Sequence, residues 1–182
     1  MANVDNDRAD PSQMLPASAS TGPTVGGILA LPAAQRCRRE VATGRLSQRV
    51  RRASMLTAPP SSGADLHEHL VCLTGGGDPG GGRPEEVTAR LAAASAAALA
   101  LDATAYPAVD EWIRAARRTA IPLLIAADAE ALETLRSEVL DAVLDHQAAL
   151  LQREDEVHRF LVRIVLAGGS LRDLCESLAG FF

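Results

Sequence analysis

Residues 69–86, HLVCLTGGGDPGGGRPEE, place a Gly-rich loop between a short apolar run and a segment that opens with Pro. This order of strand, glycines and helix is the layout of a phosphate-binding loop. Such a loop ends in Gly-Lys-Ser/Thr, however, and the chain contains no Lys. The GxGxxG spacing at Gly75, Gly77 and Gly80 arises almost automatically where six of eight residues are Gly. We therefore predict a connecting loop, no nucleotide site and no cofactor.

Two histidines and a cysteine next to this loop are residue types that bind metal ions. In an extended chain His67 and His69 share one face, whereas Cys72 points to the other. A fourth ligand with suitable spacing is not evident, and zinc sites need three or four converging ligands. We therefore predict exposed histidines, a buried cysteine and no metal.

Residue types suited to acyl transfer also occur, in Ser54, Asp65 and His67. The GxSxG turn that exposes such a serine is missing around Ser54. The carboxylates Asp102 and Asp110 are more simply interpreted as helix-flanking and surface groups. The sequence therefore predicts that the chain is not an enzyme.

Residues 36–52 carry seven Arg against a single Glu, a local charge of +6 in a chain whose net charge is −5. The acidic balance of the whole chain excludes a protein-wide nucleic-acid footprint. Within the segment, Arg49, Arg51 and Arg52 are candidate contacts to nucleic-acid phosphates. The alternative is a solvated sheet face, or a contact with the acidic helix further along the chain.

The composition is that of a globular protein with a core of Ala, Leu, Val and Ile. Hydrophobic residues make up 47% of the chain and aromatic residues only 3%. The three cysteines are widely spaced, which is typical of reduced thiols in the cytoplasm. No basic segment followed by an apolar run begins the chain, and no apolar run is long enough to cross a membrane. We expect a cytoplasmic protein without a membrane partner; abundant Ala and exclusive use of Arg suggest a bacterial source.

Periodicity predicts an α/β fold, a small sheet with parallel βαβ units flanked by helices. Residues 1–23 are predicted to be a disordered tail, and residues 24–127 an α/β domain that begins with Thr24 as a helix N-cap. The runs RCRREV and RVRRASML, separated by a turn at Gly44, predict two strands of a small sheet. The runs HLVCL, AALAL and IPLLIA predict buried strands, and helices begin at Pro84 and near Trp112.

Residues 128–167 are predicted to form one long helix capped by Asp128, followed by the start of a further short helix over 168–182. His146 and Arg153 interrupt its apolar stripe. A helix of this length usually finds a partner helix, so a homodimer is expected through the stripe; packing back on its own domain is the alternative. The stripe comprises Leu132, Leu135, Val139, Val143, Leu150, Val157, Leu161 and Ile164.

The order of these segments resembles the N-terminal, purine catabolism regulator-like domain of PucR-type bacterial transcriptional regulators. Residues 24–56, TVGGILALPAAQRCRREVATGRLSQRVRRASML, are similar to that family's "tvgdlL" helix and following hairpin. EHLVCLTG resembles the family's "GELVLTTG", with Glu68 in place of Gly, His69 in place of Glu and Leu73 in place of Thr. The segments AALALDATAYPAVDEWIRAARRTAIPLLI and HQAALLQREDEVHRFLVRIVLAGGSLRDLCESLA continue the likeness, which extends from Thr24 to Phe182.

The resemblance implies an effector-sensing module that detects a small metabolite, with Thr74, Gly75 and His69 as candidate effector contacts. It also implies that DNA is bound by a C-terminal helix-turn-helix domain, whose residues are absent from this sequence. Two alternatives stay open: a structural module that binds a partner through the long helix, and a small nucleic-acid binder that uses residues 36–52.

Overall fold

The computed structural model describes residues 23–41, 43–58, 60, 64–75 and 82–166. The chain divides into two compact units, one of residues 21–151 and one of residues 1–20 and 152–182. The predicted tail before Pro23, the interior of the glycine loop and the predicted short C-terminal helix lie outside the described residues.

A five-stranded sheet forms the centre of the first unit, which confirms the α/β class. Its strands run in the order β1-β5-β4-β3-β2. Strands β2 to β5 are parallel to their neighbours, and β1 is antiparallel to β5. The strands are β1 (Arg38–Glu40), β2 (Arg52–Leu56), β3 (His69–Leu73), β4 (Ala98–Asp102) and β5 (Leu123–Ala126).

The two Arg-rich strands are not partners, so the predicted pairing in a hairpin is wrong. Strand β1 pairs with β5, placing Arg39 opposite Leu124, whereas β2 pairs with β3 at the far edge. The mostly apolar strands β3, β4 and β5 occupy the centre because both of their faces are covered. Charged strands are tolerated at edges, where their side chains reach water.

The helices begin where the sequence places capping signals. Thr24 Oγ1 accepts a hydrogen bond from Gly27 N at 3.2 Å, and Asp128 Oδ1 accepts one from Ala131 N at 2.8 Å. Pro84 occupies the first position of its helix, with two Glu in the first turn. The helices are α1 (Val25–Leu29), α2 (Pro32–Arg36), α3 (Pro84–Ala93), α4 (Val109–Thr119) and α5 (Ala129–Leu166).

The two faces of the sheet are buried by different helices. Odd-numbered residues of β3 and β4, such as Val71 and Leu99, pack with α3 and α4. Even-numbered residues, such as Cys72 and Ala100, pack with α1, α2 and α5. The two helices that connect parallel strands, α3 and α4, therefore lie on one face of the sheet. The parallel strands are added one after another in a single direction across the sheet. A sheet wound this way lacks the crevice between oppositely directed crossovers in which nucleotides bind.

The first four residues of the predicted dimer stripe belong to the core of the chain itself. Leu132, Leu135, Val139 and Val143 are all buried, and the first three belong to the core cluster that contains the even-numbered sheet residues. They are not available to a second copy, which corrects that part of the predicted dimerisation set. The reason is that α3 and α4 leave one face of the sheet bare, and α5 covers it.

Gly75 ties the ends of β2 and β3 together, and its replacement tests the fold. A Cβ at Gly75 would lie 2.3 Å from the carbonyl oxygen of Thr57, so Gly75→Ala forces the backbone apart. We expect a loss of about 1–3 kcal/mol in the free energy of unfolding, measured by urea denaturation. Gly44→Ala is the matched control, since a Cβ there meets no atom within 4 Å. Equal stability of both variants would contradict the close contact.

Candidate functional site

A groove in the first unit runs between the segment that leads into β2 and the middle of α5. Its first wall is held by backbone pairing of the chain near Pro23 with residues 46–50. Val50 N donates to Pro23 O at 2.8 Å, and Val25 N donates to Gln48 O at 2.8 Å. Thr24 and Arg49 form an antiparallel bridge between these bonds. The pairing gives Arg49, Val50 and the following residue a fixed position opposite α5.

The second wall is one face of α5. Val143, His146, Gln147 and Leu150 are spaced at intervals of three, four and seven residues, which places them on one side of a helix. The groove has a volume of about 370 Å³. Its lining consists of Pro23, Arg49, Val50, Arg51, Val143, His146, Gln147 and Leu150.

The groove combines an apolar interior with a basic rim. Val50 and Val143 are buried, and Leu150 is half exposed. Arg49 is exposed, and its guanidinium has no ion-pair partner among the residues that the structure describes. An unpaired guanidinium beside apolar side chains is suited to bind the charged end of an amphipathic anion.

The second arginine of the rim is already neutralised. Arg51 Nε lies 2.5 Å from Glu68 Oε2, and Arg51 N donates to Glu68 O at 2.8 Å. Glu68 itself adopts a left-handed backbone conformation, with φ of 59°. This conformation is unfavourable for residues with a Cβ and is most easily adopted by Gly. The ion pair leaves Arg49 as the uncompensated charge of the groove.

His146 contributes a polar group without a partner. Its Nε2 is buried and makes no hydrogen bond with any described residue. A buried nitrogen that has lost water and gained no partner costs about 1–3 kcal/mol. Sequence reasoning did not place His146 or Gln147 in a site, although the interruption of the apolar stripe by His146 is the signal that could have found this position.

The three predicted effector contacts do not form one site. His69 is the first residue of β3, whereas Thr74 and Gly75 follow its last residue. Five residues of extended chain separate His69 from Thr74 by about 16 Å. The close approach of Gly75 to Thr57 gives this glycine a structural role. The residues inferred from EHLVCLTG therefore lie at opposite ends of a strand, and their role as effector contacts stays a prediction.

His69 pairs with Ser54 rather than with a ligand. Ser54 Oγ lies 2.8 Å from His69 Nδ1, on the sheet face that α3 and α4 cover. Burial and the neighbouring Arg52 lower the pKa of His69. The sequence grouped Ser54 with His67, and the structure joins it to His69 instead. The pair lies at the amino end of β3, opposite the carboxyl edge where parallel sheets place reacting groups.

Two further polar side chains of the sheet, Cys72 and Asp102, are buried and serve the fold. Burial raises the pKa of the Cys72 thiol to about 12, which makes it a poor nucleophile. Asp102, interpreted from the sequence as a surface carboxylate, is buried. Its Oδ1 accepts hydrogen bonds from Thr104 N and Thr104 Oγ1 at 2.8 and 2.6 Å, closing the turn after β4. No three His, Cys, Asp or Glu side chains of the described residues are grouped closely enough to hold a metal ion.

The three candidate nucleic-acid contacts are divided between the two faces of the sheet. Arg49 and Arg51 line the groove next to α5, whereas Arg52 lies beside His69 on the other face. Other arginines of the segment are engaged within the chain: Arg36 with Glu138 and Arg38 with Asp110. A divided and partly neutralised set of charges is a poor surface for a phosphate backbone.

The remaining residues of the predicted dimer stripe lie in the second half of α5. Leu150 lines the groove, and Val157, Leu161 and Ile164 are half-buried.

Within the described part of the chain no helix has both the length and the apolar character to cross a membrane.

Comparison with known proteins finds no family model, no curated protein and no solved structure that matches this chain.

The lowered pKa of His69 predicts how stability depends on pH. The pKa lies below the ordinary 6.5, so the unfolded chain binds this proton more readily than the folded chain. The contribution of the neutral His69 ring is therefore complete above pH 6.5 and is lost as the pH falls from 6.5 through the folded pKa. Urea unfolding between roughly pH 5 and pH 8 measures this slope.

His69→Gln should flatten that part of the pH profile, whereas His67→Gln should keep most of it, because His67 is the smallest of the causes that shift the pKa of His69. A slope that survives His69→Gln would show that another group is responsible.

Proposed function

We propose that this chain is a regulatory, effector-sensing module of the PucR type, in which a small metabolite binds the groove between residues 49–51 and α5. The observation that supports the proposal is that two different elements of the fold line the groove. One wall belongs to the edge of the sheet, and the other belongs to the long helix. A ligand that contacts both walls stabilises one arrangement of the helix against the sheet.

The groove lies where the surroundings of α5 change. Val143 is buried against the domain, but Leu150, two turns further along the same face of the helix, is 48% exposed. A ligand that binds at this part of α5 favours the helix position in which both walls of the groove contact it. A module of this kind transmits occupancy along α5 without a catalytic step.

The backbone of residues 68–75 supports the PucR-type assignment. The family pattern has Gly where this chain has Glu68, and Glu68 adopts the left-handed conformation that Gly accommodates most easily. The pattern also has Gly at the position of Gly75, where the Thr57 carbonyl leaves no room for a Cβ. The conformation at position 68 favours Gly and the close contact at position 75 requires it, and Arg51 pairs with Glu68 where Gly is missing.

A thermal-shift screen against purines, other nitrogen metabolites and small acids tests the sensing function. At least one compound should raise the melting temperature, and Leu150→Glu should abolish that shift by placing a carboxylate at the groove. Leu166→Glu is the matched control, because Leu166 is an exposed leucine of the same helix outside the groove lining.

Failure of every compound to stabilise the protein would overturn the sensing proposal, as would equal loss of binding in the two variants. Circular dichroism checks that both variants fold.

The second candidate function is protein interaction through α5. Leu144 and Leu151 are seven residues apart, so they lie on one face of the helix, and both are exposed. This face differs from the one that carries Val143 and Leu150. An exposed pair of leucines at heptad spacing is the pattern by which helices associate.

Light scattering after size exclusion tests whether this face joins two copies of the chain. The interaction proposal predicts a dimer at high protein concentration, and the double variant Leu144→Glu, Leu151→Glu should convert it to a monomer. A wild-type monomer at all concentrations would contradict self-association, and a dimer that survives the double substitution would place the interface elsewhere.

A further inference from the structure

We infer that the occupant of the groove is a small organic carboxylate with an apolar body, bound through Arg49. This inference rests on the proposed sensing function and names the chemical class of its effector. It follows from the size of the groove, the character of its interior and the charge that its rim leaves unpaired.

The size and lining of the groove favour a small amphipathic ligand. A volume of about 370 Å³ lies at the lower end of the range for small-molecule sites, which is about 300–1,000 Å³. Half of the lining is apolar and comes from both walls: Pro23 and Val50 from the first, Val143 and Leu150 from α5. A compact aliphatic or aromatic group can therefore replace water along the whole length of the groove.

The charge of the groove favours an anion. Arg49 presents a guanidinium without an ion-pair partner in the described residues, and a planar fork of donors matches a carboxylate in a bidentate arrangement. Arg51 is held by Glu68 and adds no free charge. A cationic ligand would be repelled by Arg49, whereas an anion would gain a charge-assisted hydrogen bond from its exposed guanidinium.

The count of charges distinguishes a carboxylate from a phosphate ester. One free guanidinium neutralises one negative charge, which a carboxylate carries, whereas a phosphate monoester carries close to two near pH 7. A second guanidinium for a phosphate would have to come from Arg51, which is already paired with Glu68.

Two polar side chains of α5 complete the proposed site. Gln147 supplies an amide that can donate to the second carboxylate oxygen, and His146 brings a ring whose Nε2 has no partner. A ligand group that reaches this nitrogen would remove the cost of an unsatisfied buried group, which a purely structural histidine would continue to bear.

Isothermal titration calorimetry with hexanoate and benzoate, each compared with its neutral amide, tests the inference on the full chain. The carboxylates should bind and the amides should bind at least about tenfold more weakly, the loss expected when a charge-assisted hydrogen bond is removed. Arg49→Ala should weaken carboxylate binding by a similar factor and remove the preference over the amide, and Arg49→Lys should restore part of it. Arg114→Ala is the control, because Arg114 is an exposed arginine of α4 on the opposite side of the sheet.

The outcomes separate this inference from the proposed function. Equal binding of carboxylates and amides, or carboxylate binding unaffected by Arg49→Ala, overturns the anion assignment. Carboxylate binding that Arg49→Ala removes but Leu150→Glu leaves unchanged places the anion outside the groove and also overturns it. If the metabolite screen finds a groove ligand that is not an acid, sensing stands and the carboxylate inference fails. If nothing binds the groove, both fail.

Discussion

The structure depends on one constraint, which is that both helical crossovers of the parallel sheet lie on the same face. Helices α3 and α4 follow β3 and β4 and bury only that face. The opposite face exposes Leu70, Cys72 and Leu124 unless another element covers them. Helix α5 supplies that cover, and each fully buried leucine it contributes is worth about 1.5–3 kcal/mol. The first part of the long helix is therefore an integral part of the domain core.

This constraint explains which features were predictable from the sequence. Alternating apolar runs and helices, Pro84 at a helix start, and Thr24 and Asp128 as caps all depend on neighbouring residues, and the structure confirms them. Strand pairing, in contrast, depends on which strands are apolar enough to be buried at the centre of the sheet. The Arg-rich runs that become β1 and β2 are adjacent in sequence but lie at opposite edges, because the mostly apolar strands β3, β4 and β5 occupy the positions buried on both faces.

The candidate site was less predictable than the fold for the same reason. The motif EHLVCLTG attracts attention because its residues are contiguous, but an extended strand carries His69 and Thr74 to opposite ends of the sheet. The groove joins Arg49 to His146, which are almost a hundred residues apart. Only the packing of α5 against the sheet brings them together. The one local sign was His146 itself, a polar residue within an otherwise apolar stripe.

A ligand site at the side of α5 is the kind that this topology permits. A sheet wound in one direction offers no crevice between crossovers at the carboxyl edge, so a small molecule must find a junction between layers instead. The junction beside residues 49–51 is open because α5 continues past the end of its buried stripe, where Val143 gives way to His146 and Leu150. The residues of α5 that follow the buried stripe, from His146 to Leu150, thus form most of the second wall of the groove. A ligand of the proposed kind would contact the helix where its packing against the sheet weakens, so that a modest binding energy could shift the helix position.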